Sequence, residues 1–472
     1  MSATVVGIDS STQSCKVVVV DLENGKVLST ATAPHPDGTS VDPHVWLQAL
    51  KTAWREAGVP ERGDVVGVSV AGQQHGMVAV DAQGAPVHDA LLWNDVRSAP
   101  QAARMVSEHG VDWWMETVNM APVSSMTLAK LAWLRENEPQ AAARVHRVML
   151  PHDWLTLHLS GEFVTDRSDA SGTGYFHATD NQYRPELLQE YFGAVPELPR
   201  VLAAHEPAGT LMPEWCGTGG TPAVVGAGAG DNAAAGLGLN LEPGEVAISV
   251  GTSGTVFACN AEPTIDRSGV TAGFADATGQ HLPLLCTINA ARVMTTTAAT
   301  LGADLDEFTR LATSGPSDAG GLTMLPYFDG ERTPNLPEAT GRLDGLTRAS
   351  FTRENLARSA VLAVANSLAD CLDILRDIHV DVERVLLIGG GAKSDALRSV
   401  LPDTLNLTVS VPRSAEYVAL GAARQAAWAA TGRQPDWPRV IDSELAPTGD
   451  TGVGEFRERY GALRRRYEKQ LS

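Results

Sequence analysis

Two short turns in this chain have the composition of an anion-binding site. Thr4-Val5-Val6-Gly7-Ile8-Asp9 runs into Ser10-Ser11-Thr12-Gln13-Ser14 and then Cys15-Lys16-Val17-Val18-Val19-Val20-Asp21. Glu245-Val246-Ala247-Ile248-Ser249-Val250 runs into Gly251-Thr252-Ser253-Gly254 and then Thr255-Val256-Phe257-Ala258. A β-branched run on each side of a tight turn reads as a hairpin. Turns rich in Gly, Ser and Thr gather N–H groups and hydroxyls at one point, and these donors can hold a phosphate without net charge. Asp9 closes the first strand. A carboxylate beside phosphates is repulsive unless a cation lies between them, so Asp9 implies Mg²⁺. Either turn alone is an ordinary hairpin; the two with Asp9 point to a polyphosphate.

Three further segments could carry chemistry. Leu386-Leu387-Ile388 leads into Gly389-Gly390-Gly391-Ala392-Lys393-Ser394, where three glycines would let the backbone approach a flat or charged ligand. Neither the P-loop spacing nor GxGxxG is present, and a tight strand-to-helix turn explains this loop as well. Val224-Val225-Gly226-Ala227-Gly228-Ala229-Gly230-Asp231-Asn232 is an apolar strand, a glycine-rich turn and then a helix of small residues. Asp231 at that helix start is either an N-cap or a general base. In the first half, Gly72-Gln73-Gln74-His75-Gly76 and Leu91-Leu92-Trp93-Asn94-Asp95-Val96-Arg97 place neutral hydrogen-bonding groups and a Trp in apolar surroundings. Hydroxyls plus an apolar face are what a sugar offers to such a set.

Bulk properties narrow the class. The 472 residues carry 36 basic and 56 acidic side chains, a net charge of -20. That disfavours nucleic acid and anionic membranes as partners. Hydrophobic residues at 43% and charged residues at 19% describe an ordinary globular chain. The five cysteines, Cys15, Cys216, Cys259, Cys286 and Cys371, include no CxxC pair and read as reduced thiols. Met1-Ser2-Ala3-Thr4 enters a strand at once, without the basic and apolar regions of a secretory signal, and no run of about 18 apolar residues follows. A cytoplasmic protein is expected.

The two hairpins lie about half a chain apart, which suggests two domains of related construction. The fold class expected is α/β, with domains at 1–240 and 241–472 and the join near Leu239 to Pro243. Asp64–Ala71 and Arg384–Ile388 read as strands. Phe351–Ile378 is helical by its apolar period of about 3.6. The final segment puts Phe456, Tyr460, Leu463, Tyr467 and Leu471 on one stripe. A helix over 455–471 is expected, free to pack back on the first domain, with Arg464, Arg465 and Arg466 on a solvated face.

Over essentially its whole length the sequence resembles the FGGY carbohydrate kinase family, and within it the xylulose kinase branch most. The first family signature is matched by Ser125-Met126-Thr127-Leu128-Ala129-Lys130-Leu131-Ala132-Trp133-Leu134-Arg135-Glu136-Asn137. The second is nearly matched from Gly341-Arg342-Leu343-Asp344-Gly345-Leu346 to Asn355-Leu356-Ala357-Arg358-Ser359-Ala360-Val361. The resemblance implies two ribonuclease-H-like domains of the actin and hexokinase type around a central cleft. It implies ATP and Mg²⁺, and transfer of phosphate to a sugar hydroxyl, with D-xylulose as the branch's substrate. Asp231 inherits the role of general base and Asp9 that of metal-side carboxylate. Ser11, Thr12 and Lys16, then Gly251, Thr252 and Ser253, then Gly390, Gly391 and Ala392 fall on the nucleotide side. Gln74, His75, Trp93, Asn94, Asp95, Arg97 and Asn232 fall on the sugar side. The partners implied are a small sugar and ATP; a homodimer is left open.

Three departures stand out. Ser11 replaces the glycine usual in the first phosphate loop, so that turn either avoids positive φ or tolerates strain. Leu362 stands where the second signature often has an acid, and Gln74 where some relatives carry Met. Kinases for ribulose, an alditol or gluconate remain alternatives, as does an actin-like ATPase without sugar kinase activity. A glycerol kinase fits less well, because its polyol segment typically carries an Arg-Glu pair.

Overall fold

The computed structural model describes residues 3–216 and 222–471; Met1 and Ser2 of the expected N-terminal entry lie outside this range. The chain forms two compact units. One comprises Met1–Leu241, Ala261–Leu282 and Glu416–Arg439; the other comprises Glu242–Asn260, Pro283–Ala415 and Val440–Ser472.

In the first unit the hairpin predicted around Asp9 is the centre of a mixed sheet. Strand Thr4–Ser10 pairs antiparallel with Ser14–Asp21, which pairs antiparallel with Val27–Pro34. On its other side Thr4–Ser10 pairs parallel with Val65–Gly72, which then meets Val224–Val225 in parallel. The β-branched residues alternate between two buried faces. Val6, Ile8, Val17 and Val19 pack with Trp46, Leu50 and Trp54 of helix His44–Glu56. Val5, Val18 and Val20 pack with Ala419, Ala423, Ala426 and Ala427 of helix Tyr417–Thr431. The result is helix on sheet on helix. Gly7 permits the second contact, since a Cβ there would lie 1.9 Å from the Ala419 carbonyl oxygen.

The second unit repeats that topology. Strand Glu245–Val250 forms the predicted hairpin with Gly254–Ala258, and the latter pairs antiparallel with His281–Thr287. Glu245–Val250 also pairs parallel with Arg384–Ile388, which pairs parallel with Val409–Pro412. The expected long helix is present as Arg353–Asp377, with the Thr352 hydroxyl capping the Asn355 N–H at 3.2 Å. Leu362, where an acid was the family's habit, is fully buried in it.

The compact units do not follow chain order throughout. The division at 240 and 241 is interrupted, because 261–282 and 416–439 both belong to the first unit. The terminal helix, Thr451–Leu471, lies in the second unit. Its Arg457 reaches Asp370 and Asp373, both at 2.6 Å, and its Arg464 reaches Asp370 at 2.7 Å. Arg464 is therefore an anchor and not part of a solvated face. Leu471 is exposed, leaving Phe456, Tyr460, Leu463 and Tyr467 as the buried stripe.

Candidate active site

Strand register gathers the first unit's candidate residues. In the sheet Asp9 stands beside Ala71 and Ser10 beside Gly72. The short strand Ala229–Gly230 pairs with the same two residues, Ala71 and Gly72, from the other side. Three parallel strands thus end together, and Asp9, the Gln73–His75 segment and Asp231 leave from those ends. Ligands of open α/β sheets bind at such carboxyl ends.

Asp231 is the first residue of helix Asp231–Leu239, and Gly230 is its N-cap. The capping alternative for Asp231 is therefore not what the structure shows. Its carboxylate accepts from the Asn232 N–H at 2.7 Å and from Asn232 Nδ2 at 2.8 Å. Asn232 Nδ2 also donates to Gln74 Oε1 at 3.1 Å, so three expected site residues form one chain. Desolvation and then the neighbouring charge of Asp9 push the Asp231 carboxyl up to about 7. Burial likewise raises Asp9 to about 6, against the Ser11 hydrogen bond and the charge of Lys16. Two carboxylates resisting ionisation at one strand end suit a proton acceptor near neutral pH and a divalent cation. Asp9 would hold Mg²⁺ there; the donor set fits, because a cation would relieve both desolvation and mutual repulsion.

The rest of the first turn is more engaged than expected. The Ser11 hydroxyl donates to Asp9, and Ser11 is absent from the non-glycine residues with positive φ, so the turn avoids strain. Lys16, opposite Asp9 in the hairpin, pairs with Glu416. Thr12 Oγ accepts from Trp93 Nε1 at 2.8 Å, which ties the sugar-side segment to the phosphate-side turn. Asn94 Oδ1 is buried without a partner. Asp95 and Arg97 are turned on each other at 2.8 Å. Thr39 also donates to Asp95, and Arg97 lies over Trp133 at 4.9 Å. That pair shapes its loop, with both Asp95 oxygens engaged, one by Arg97 and one by Thr39.

His75 has φ of 65°, with Nδ1 donating to the Gly172 carbonyl at 2.7 Å and the ring 5.5 Å from Phe274. Its own carbonyl accepts from Lys130 Nζ at 2.7 Å, and Ser125 O accepts from the same ammonium at 2.6 Å. Lys130 lies in the signature at 125–137, whose match alone implies no role for it. Burial lowers it to about 7, against the charges of Asp95 and Asp169. Replacing it with Met keeps bulk and deletes both bonds. A hydrogen bond from a charged donor is worth about 1.5–3 kcal/mol, so the sugar KM of Lys130→Met should rise roughly tenfold or more. The ATP KM should stay put; an unchanged sugar KM in steady-state kinetics would show that Lys130 does not set the His75 segment.

In the second unit, Ser249 stands beside Ile388 in parallel register, so the Gly251-Thr252-Ser253 turn and the Gly389-Gly390-Gly391-Ala392 loop leave the same sheet edge. Gly251, Thr252 and Ser253 are exposed. A Cβ on Gly391 would lie 2.4 Å from Val250 Cγ1, whereas one on Gly390 would meet nothing within 4 Å. The loop is pressed against the strand that ends in the turn and leaves an open cradle at Gly390.

A model of the FGGY family of carbohydrate kinases, N-terminal domain, matches residues 4–238, and one of its C-terminal domain matches residues 246–430. The chain belongs to the FGGY family of carbohydrate kinases. Among curated relatives, a xylulose kinase of Streptomyces rubiginosus is 44% identical over 443 residues, 91% of this chain and 89% of that one. A xylulose kinase of Escherichia coli is 32% identical over 438 residues, 90% of each chain. The crystal structure of xylulose kinase from Bifidobacterium adolescentis aligns with TM-score 0.92 at 42% identity, covering 98% of this chain and 99% of that one. A gluconate kinase from Lactobacillus acidophilus aligns with TM-score 0.90 at 21% identity, so the FGGY fold by itself does not choose a sugar. Among the described residues no helix is long and apolar enough to cross a membrane.

Sequence reasoning missed several residues that hold this site. Gln73 is fully buried with neither amide atom partnered. Gln425 Nε2 donates to Gly228 O at 2.7 Å, and the Gly228 N–H donates to its Oε1 at 2.9 Å. Nothing local in an alanine-rich helix announces that Gln425 grips a turn 197 residues earlier.

Proposed function

We propose that this FGGY kinase transfers the γ-phosphoryl group of ATP to O5 of D-xylulose, giving D-xylulose 5-phosphate and ADP. The observation that carries this reading is the Gln74–Asn232–Asp231 chain beside His75, in a protein 44% identical to a named xylulose kinase over nine-tenths of its length. Asp231 accepts the proton of the attacking hydroxyl. Gln74, His75, Trp93, Asn94 and Asn232 surround the sugar, and Asp95 with Arg97 fixes the loop that carries Trp93 and Asn94. Asp9 holds Mg²⁺, which supplies charge neutralisation at the phosphates. Ser11, Thr12 and Lys16, the Gly251–Ser253 turn and the Gly390–Ala392 loop receive the nucleotide. A cytoplasmic location suits a kinase that draws on ATP.

A coupled ADP-release assay over D-xylulose, D-ribulose, glycerol, an alditol and gluconate, with and without Mg²⁺, tests the reading. D-xylulose should give the highest kcat/KM, glycerol should be poor, and chelation of Mg²⁺ should abolish turnover. Faster turnover of another member of the panel would reassign the substrate and leave the family intact.

A further inference from the structure

Behind the strand ends that carry Asp231 lies a fully buried cluster that the proposed mechanism does not use. His152, in helix Pro151–Ser160, has Nε2 at 3.1 Å from Asp166 Oδ1 and 3.5 Å from Asp169 Oδ2. Its Nδ1 lies 3.3 Å from Asp153 Oδ1. The ring and all three carboxylates are buried. Burial opposes charge on the ring, but Asp153, Asp166 and Asp169 outweigh it and hold its pKa up at about 10. The three carboxylates therefore favour the charged form of the ring.

This cation meets the Asp231 segment in two ways. The ring packs on backbone that only glycine could present. A Cβ on Gly228 would lie 2.6 Å from His152 Nδ1, and Gly228 has φ of 90°. Gly72, the strand end beside Gly230, would place a Cβ 2.9 Å from His152 Cβ. A hydrogen-bonded path runs alongside. Asp166 Oδ2 accepts from the Ser168 N–H at 2.7 Å, and Ser168 Oγ accepts from the Gly230 N–H at 3.0 Å. Gly230 is the residue before Asp231. On the opposite side of Gly228, Gln425 closes its two backbone bonds.

We propose that His152 is a positioning residue for Asp231: its ring braces Gly228, and with Asp166 and Ser168 it fixes the strand Ala229–Gly230 from which the proton acceptor projects. This rests on the reading of Asp231 as the base. The charge has a second effect. Asp169 faces both His152 and Asp231, and its carboxyl is held well above the usual range, by burial first. The other charged or titratable groups facing the cluster are Lys130 and Arg167, and the buried phenols of Tyr175 and Tyr183. The imidazolium lies among the carboxylates behind Asp231, with Lys130 as a second buried cation beside Asp169 and with Asp9 as the charge acting directly on Asp231, so removing the imidazolium makes ionisation of Asp231 harder.

The test compares His152→Ala and His152→Gln with Asp231→Asn in the full-length enzyme. A displacement of about 1 Å at a reacting group can cost ~10²-fold, so kcat of His152→Ala should fall by about that factor, with the ATP KM unchanged. His152→Gln, which can still reach Asp166, should recover about tenfold of the loss. In both, the acid limb of the kcat/KM profile should move to higher pH. A purely structural role would lower the melting temperature and leave the limb where it is. Folded His152→Ala with wild-type kcat and an unmoved limb overturns the inference. If His152→Ala does not fold, Ser168→Ala removes the acceptor for the Gly230 N–H and should itself lower kcat about tenfold; wild-type kcat there overturns it equally. An inactive Asp231→Asn beside a normal His152→Ala condemns this inference alone, whereas an active Asp231→Asn removes the base and this inference with it.

Discussion

Asp231→Asn should lose ~10²–10⁴-fold in kcat, the contribution typical of a positioned general base. Asn keeps size and polarity but cannot take the proton. ATP binding should change little, because the residues assigned to phosphates are Asp9 and the two hairpin turns. The sugar KM should rise modestly, since the carboxylate also accepts from the substrate hydroxyl. Stability should move the other way. Desolvation, then Asp9, raises the folded pKa of Asp231 to about 7 from 3.8. A carboxyl whose pKa rises on folding costs stability above its unfolded value, and that cost fades as pH falls through the folded pKa. The neutral variant escapes the cost, so at pH 8 its melting temperature should equal or exceed that of wild type. Activity carries the opposite sign: wild-type turnover should drop about tenfold per pH unit below the limb set by Asp231. An active, normally folded variant would remove Asp231 from the mechanism.

The site was legible where chemistry is written in short runs. Asp9 and Asp231 were visible because a β-branched strand stops at a carboxylate next to small, flexible residues, and strand ends are where an α/β sheet binds ligands. Gln74 and Asn232 were legible individually, but their contact at 3.1 Å was not, since 158 residues separate them. The supporting shell escaped for the same reason. His152, Asp166, Ser168 and Gln425 lie on four different elements, and each looks ordinary in its own stretch. The resemblance puts Lys16 and Arg97 on the ligand side, but it does not show that the fold also pairs Lys16 with Glu416 and Arg97 with Asp95.

Sequence order does not give spatial order for every segment of the two domains. Helix Tyr417–Thr431 is rich in alanine and buried along most of its length, so its apolar pattern does not say which sheet it covers. Packing against Val5, Val18 and Val20 settles the matter in favour of the first unit. The terminal helix shows the converse. Its stripe was legible, but its destination depended on Arg457 and Arg464 finding Asp370, a buried carboxylate that periodicity does not reveal.

The returning helix also carries the second large effect, Gly421→Ala. Ala is ordinarily the better helix former by about 1 kcal/mol, and Gly421 lies inside helix Tyr417–Thr431. Here the sign should reverse. A Cβ on Gly421 would lie 1.8 Å from the Ala234 carbonyl oxygen and 3.0 Å from its Cα, both backbone atoms that no rotamer change can move. The same crossing is tight in the other direction, since a Cβ on Gly238 would lie 2.0 Å from the Tyr417 carbonyl oxygen. Helix Asp231–Leu239 is thus clamped onto Tyr417–Thr431 through one glycine from each, at a distance only hydrogen side chains allow. Overpacking typically costs 1–3 kcal/mol and occasionally more, and immovable backbone belongs at the upper end. At roughly 2–4 °C per kcal/mol, the melting temperature should fall by several degrees. Relief requires the helices to part, and one of them begins at Asp231, so kcat should fall with stability, by up to ~10²-fold for a shift of about 1 Å. Gly454→Ala is the matched control. Gly454 lies in helix Thr451–Leu471 with nothing within 4 Å of its Cβ position, so the same substitution there should raise the melting temperature slightly and leave kcat alone. A Gly421→Ala enzyme as stable and as active as wild type would mean that this crossing does not hold the candidate base in place.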